Sequence, residues 1–188
     1  MGQFISSDAF KMEEKTPTLD EIDRRILVEL QRDGRLTNQD LAGRIGVSAS
    51  PCWRRVRALE EAGVIKGYAA LVDPAALGLN VSVFTQVSLE RQEKKALQVF
   101  EAAVGEWPEI MECYLMTGDA DYLLRVVVPD VRALERFIVD VLSRLPGVGS
   151  IKSSFALKQV KYDTALPLPG GSAPPTPRVS RSRARRSA

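Results

Sequence analysis

At 188 residues with 45% hydrophobic content, the chain has room for two small folded domains. Its 26 basic and 24 acidic side chains leave a net charge of +2; it contains no histidine and has two widely spaced cysteines, Cys52 and Cys113. Without histidine the commonest general base, the commonest metal ligand and the Ser/His and Cys/His nucleophile pairs all drop out, and neither cysteine has a partner at ligand spacing, so no catalytic residue, metal or cofactor is assigned.

Residues 1–17 are polar and aperiodic and read as a disordered arm, with no basic-then-apolar secretory pattern. No apolar run approaches the ~18 residues that span a bilayer, and with no secretory pattern and only two distant cysteines a reducing cytoplasm is expected. From Thr18 the apolar residues recur at three and four, at Ile22, Ile26, Leu27 and Leu30, then Leu41, Ala42 and Ile45, then Cys52, Val56 and Leu59. That periodicity predicts three helices over 18–66. Thr18-Leu19-Asp20-Glu21 has the form of a capping box, Gly34 is placed to stop the first helix, and Thr37 opens the second. Gly46 permits the positive φ of a tight turn, and Ser48 caps a third helix that tolerates Pro51 in its first turn. Three short helices with a glycine turn between the last two predict a (winged) helix-turn-helix.

At about 100° per residue, Cys52, Val56 and Leu59 make one face of the third helix, while Ser50, Arg54 and Arg57 project on the other. Recognition helices enter the major groove N-terminal end first, and arginine can bond bidentately to guanine O6 and N7. Ser48, Ser50, Arg54, Arg55 and Arg57 are therefore the candidate DNA contacts, with Ser50 and Arg54 reading bases. Arg55 lies on the flank, open to a phosphate contact or to packing, and Trp53 is expected to cover the core.

Residues 67–80 read as an extended linker broken by Asp73-Pro74 and Gly78. Over 81–166 the order becomes strand, helix, strand, strand, helix, strand, an α+β, ferredoxin-like βαββαβ module. Its helices are expected at Gln92 to Val104 and Val131 to Leu145, its middle strands near Glu109 to Met116 and Tyr122 to Val128. Near-continuous apolarity in the latter suggests a sheet buried on both faces, one of them against a partner subunit. Thr117 to Tyr122 forms a turn whose amides, freed by Gly118, can meet a carboxylate, while Asp119 or Asp121 can hold an ammonium group. Those are the two ends of a free amino acid; read locally, the same aspartates are turn caps. Ser153 and Ser154 of the last strand are weaker candidates for the same pocket. Residues 167–188 carry Arg178, Arg181, Arg183, Arg185 and Arg186 and no acid, a disordered basic tail that is either a solvated end or a contact for nucleic-acid phosphates.

Leu19-Asp20-x-x-Asp23-x-x-Ile26-Leu27, Leu41-Ala42-x-x-Ile45-Gly46-x-Ser48 and Arg55-Val56-x-x-Leu59-Glu60-x-x-Gly63-Val64-Ile65 resemble the Lrp/AsnC, or feast/famine, family of transcriptional regulators. The likeness continues through Gly118-Asp119-Ala120-Asp121-Tyr122, similar to the family's ligand loop, and Ser153-Ser154-Phe155-Ala156-Leu157-Lys158. It spans about Thr18 to Leu168. The resemblance implies a sequence-specific regulator of amino-acid metabolism genes, double-stranded DNA as partner, and leucine or another small amino acid as effector. It places that effector at Thr117, Gly118, Asp119, Asp121, Tyr122, Ser153 and Ser154, and implies homodimers that assemble further. Two other readings stand beside it: an architectural DNA-coating protein without effector, and an enzyme like the siroheme decarboxylases, whose proposed chemistry leans on the histidine missing here.

Overall fold

The computed structural model describes residues 18–168, so the expected arm at 1–17 and all but the first two residues of the basic tail lie outside it. Helix α1 (Glu21–Arg32) starts two residues further along than the Thr18 capping box would place it. Asp20 is the N-cap: its carboxylate accepts from the Asp23 amide at 2.9 Å, and the Asp23 carboxylate accepts in return from the Asp20 amide at 3.1 Å. Two aspartates spaced by three satisfy both orphan donors, which removes any need for Thr18 and Glu21 to do so. At the other end α1 closes on an extended Asp33, not on Gly34; Gly34 instead makes room for the Tyr68 ring beside it.

Helix α2 (Asn38–Ile45) opens as expected on Thr37, whose hydroxyl accepts from the Asp40 amide at 3.1 Å, and ends on Gly46 at φ 69°. Helix α3 (Ala49–Glu61) comes next after Ser48, which occupies the N-cap position but whose hydroxyl makes no cap hydrogen bond. Instead the turn is tied by the Asn38 side-chain amide, donating to the Ala49 carbonyl at 2.8 Å. Ile26, Leu27, Leu41, Ala42, Ile45, Cys52 and Leu59 are buried together as the core of this unit, the residues that the period of three and four picks out. The unit comprises described residues 18–69 together with 163–168. The last six therefore pack with the helices, although the sequence pattern ran the α/β module on to 166.

The second unit, 70–162, begins with a single 3-10 turn at Ala75–Leu77 inside the expected extended linker, set by the Asp73 carboxylate accepting from the Ala75 amide at 3.0 Å. The β1 strand (Val81–Leu89), α4 (Lys94–Gly105), β2 (Ile110–Leu115), β3 (Tyr122–Val128), α5 (Val131–Arg136) and β4 (Val148–Phe155) then give the predicted βαββαβ order. The sheet is antiparallel, ordered β2-β3-β1-β4. Val83, Val87, Leu124, Val126 and Val128 face the helices and bury Phe100, Val104, Leu134, Phe137 and Leu142. The expected helical stretch runs unbroken from Val131 to Arg144 but is not α throughout: α5 passes into a π-helical turn at Phe137–Val141 and a 3-10 turn at Leu142–Arg144. Buried Phe137 and Leu142 lie five residues apart, a spacing that the wider π turn, not the α turn, keeps on one face.

Gly46→Ala tests the turn that sets the angle between α2 and α3. A methyl group there meets no atom closer than 4.0 Å, so the penalty is conformational, about 1 to 2 kcal/mol for a left-handed L-residue. Urea unfolding should register that loss; unchanged stability would show that the turn adopts another conformation in solution.

Candidate nucleic-acid interface and effector site

Viewed along α3, Cys52 and Leu59 are buried, Val56 is half-buried, and the opposite side is exposed. Ser50, Trp53, Arg54 and Arg57 occupy that side, spaced as i, i+3, i+4 and i+7 on one outward stripe. Trp53 does not cover the core. It is 54% exposed, because Cys52 and Val56 already fill the inward positions, and the Arg57 guanidinium lies 5.9 Å from its ring centroid. Sequence reasoning missed Trp53 as part of this surface, although its place in the stripe was the available signal. Ser48 is exposed at the same helix end.

Arg55 points the other way. Its Nη1 donates to Asp20 Oδ2 at 2.6 Å and to Asp23 Oδ1 at 2.8 Å, joining α3 to the start of α1. Each of the four carboxylate oxygens thus has one donor, two from the backbone cap and two from Arg55. The Asp23 amide and then the Arg55 guanidinium hold the Asp20 carboxyl below the usual carboxylate range, and the bonds to Asp23 and Asp20 raise the Arg55 pKa further. Of the two roles left open for Arg55, the geometry matches packing.

The expected effector residues are not brought together. Thr117, Gly118 and Asp119 form an exposed turn in which Gly118 takes φ 123°. Asp121 is buried at its base, with Oδ2 accepting from the Leu89 amide at 2.7 Å and Oδ1 from the Gln92 side chain at 2.6 Å. Both oxygens are occupied in fastening the loop between β1 and α4, so the turn-cap alternative fits Asp121. Tyr122 is a core residue: its ring lies 4.4 Å from that of Phe100 and its hydroxyl donates to Glu101 at 2.9 Å. Burial, then that bond, pushes its pKa far above the ordinary tyrosine value. On β4, Ser153 shares a hydrogen bond of 3.1 Å with buried Thr85, while Ser154 stands opposite Phe84 on the other face. Neighbouring strand residues face opposite sides, so these two serines cannot line one pocket together. Cys113 is exposed on β2, and Cys52 is buried.

The sheet face turned away from the helices carries half-exposed Phe84 and Tyr114 around an ion pair of Arg125 with Glu112 at 2.8 Å. This is an open apolar surface with a polar centre.

Comparison with known proteins gives concordant matches. A family described as winged helix-turn-helix DNA-binding matches residues 19–66, and the Lrp/AsnC ligand binding domain matches residues 82–166. The Bkd operon transcriptional regulator of Pseudomonas aeruginosa is 49% identical over 150 residues, covering 80% of this chain and 98% of that protein. The leucine-responsive regulatory protein of Escherichia coli K12 is 43% identical over 148 residues, or 79% of this chain and 90% of its own. A transcriptional regulator of Neisseria meningitidis, solved as its L-Met complex, superposes with a TM-score of 0.77 at 44% identity, over 81% of this chain and 98% of that one.

Two substitutions separate structural from binding roles. Because the Asp20 pKa is lowered in the fold, its contribution is present above about pH 4 and is lost as pH falls through the lowered folded value. Arg55→Ala should therefore lower the thermal midpoint of the helical unit at neutral pH, and the gap from wild type should close as pH drops below about 4. A gap constant over that range would assign the Arg55 contribution to its apolar stem. Asp121→Ala strands a buried amide and should destabilise the sheet unit by about 1 to 3 kcal/mol in urea unfolding. Undiminished stability would free Asp121 for a ligand.

Proposed function

Because the chain belongs to the Lrp/AsnC family of transcriptional regulators, we propose that it reads double-stranded DNA with α3 and answers to a small amino acid through its sheet unit. The outward stripe of Ser50, Trp53, Arg54 and Arg57 carries the DNA reading. Arg54 has no carboxylate claim on it among the described ion pairs, and its guanidinium has the fork that matches guanine O6 and N7. Trp53 offers an apolar edge to a thymine methyl group. Ser50 and Ser48, at the helix N-terminus, suit bases and phosphate respectively, while Arg55 fixes the roll of the helix.

The effector reading rests on the family and on the regulator solved with L-Met. The exposed turn Thr117-Gly118-Asp119 can offer amides to a carboxylate and the Asp119 carboxylate to an ammonium group; Asp121 and Tyr122 hold the turn from beneath. Leucine or another small amino acid is the effector class. The open face around Phe84 and Tyr114 is the dimer surface, and dimers build the larger assembly. The protein acts in the cytoplasm.

Anisotropy titrations on DNA upstream of its own coding sequence, and on random duplex, with each amino acid in turn, test this reading. Arg54→Ala should lose about 1 to 3 kcal/mol on the cognate duplex and much less on random DNA. One amino acid should shift cognate affinity by roughly 5- to 150-fold. Equal loss on both duplexes would make Arg54 a phosphate contact, and indifference to every amino acid would favour the architectural role.

A further inference from the structure

Residues 163–168 are shaped by one local turn and fastened to the helices by two contacts. The Asp163 carboxylate accepts from the Ala165 amide at 3.0 Å, a local turn that sets the direction of the segment. Gln31, in the last turn of α1, then grips both main-chain groups of Leu166: its Nε2 donates to the Leu166 carbonyl at 3.2 Å and its Oε1 accepts from the Leu166 amide at 2.6 Å. Past Pro167, Leu168 packs partly buried against the helical core. The Leu166 side chain is 73% exposed, so the grip is a specific backbone pairing and not general collapse of an apolar end. The family match stops at residue 166, short of the Leu168 plug.

Beyond Leu168 the sequence continues through 169–188, a stretch with five arginines and no acid. We propose that residues 163–168 are a strap that docks the end of the chain on the DNA-reading unit and so delivers this arginine arm to phosphates of the same duplex that α3 reads. The proposal rests on the DNA-binding reading above. Arg178 and Arg186 lie 10 and 18 residues past Leu168, giving reaches of up to about 35 and 60 Å, enough to touch phosphates flanking a site of one helical turn. Such contacts carry no sequence information, so the arm adds affinity and leaves selectivity to the stripe on α3. Docking matters because an arm tethered at the reading unit meets the flanking phosphates at an effective concentration of order millimolar, and one released from it meets them at less.

The test uses the full chain, a chain ending at Leu168, and the full chain with Leu166→Pro and Leu168→Ser, which alter the strap and leave α1 untouched. Each is titrated on cognate and random duplex between about 50 and 200 mM salt. Truncation should flatten the slope of log affinity against log salt by about 0.9 for each arginine withdrawn from a phosphate, at most about 4 to 5 for the whole arm. The strap variant should bind both duplexes more weakly than wild type, toward the truncated level, with its preference for the cognate duplex intact. Loss of nuclear Overhauser contacts between residue 168 and the helical core verifies that the strap has opened. An unchanged slope on truncation overturns the proposal, and so does an opened strap that binds like wild type. Loss of cognate preference in the wild-type chain itself would instead sink the reading of α3.

Discussion

One guanidinium fixes how α3 is presented. Burial of Cys52 and Leu59 holds α3 against its unit, but apolar contact leaves the roll of a helix loosely set. Arg55 sets it, because its Nη1 is shared between Asp20 and Asp23, and those two carboxylates are already committed to the first amides of α1. Cap and interhelix tie are one closed network of charge-assisted bonds in which every carboxylate oxygen has a donor. Arg55 is about one-third exposed, so solvent screens the pair and its net energy is modest; its value lies in direction. With the roll fixed, Ser50, Trp53, Arg54 and Arg57 have a single side from which to project.

A carboxylate does the equivalent work in the sheet unit. Asp121 sits where β3 begins, and its two oxygens hold the end of β1 through Leu89 and the approach to α4 through Gln92. Its own amide donates to the Val87 carbonyl at 3.0 Å. Thr117, Gly118 and Asp119 thus project from a base that is fastened on three sides, while the turn itself stays exposed. Through Asp121 the turn is joined directly to β1 and to the approach to α4. Beneath it, Val87 and Tyr122 are register partners buried in the packed face of the sheet.

Much of this fold is legible in the sequence because it is written in short intervals. The period of three and four picks out the helical core, alternation finds β1, and the βαββαβ order comes from where apolar runs and breakers fall. The failures are also local in origin. Thr18-Leu19-Asp20-Glu21 and Asp20-Glu21-Ile22-Asp23 compete for the same helix start, and the second wins because it gains Arg55 as a third member. Past α5 the helix widens to a π turn, where Phe137 and Leu142 are both buried at an interval of five that an α-helix does not keep on one face.

The site is less legible than the fold because its decisive contacts join residues far apart in sequence. Arg55 meets Asp20 across 35 positions, Leu89 meets Asp121 across 32, and Gln31 meets Leu166 across 135. No periodicity reports such pairs. Residue type narrows what a side chain can do, but its partner decides what it does. Arg54, Arg55 and Arg57 lie within one turn of a helix and are chemically alike. About 100° of rotation per residue sends Arg54 outward, Arg55 to the carboxylates of α1, and Arg57 over Trp53 and toward Glu60 at 3.7 Å. Asp119 and Asp121 divide in the same way: one stays on an exposed turn, and the other, two residues along at the start of a strand, is buried and spent on holding that turn in place.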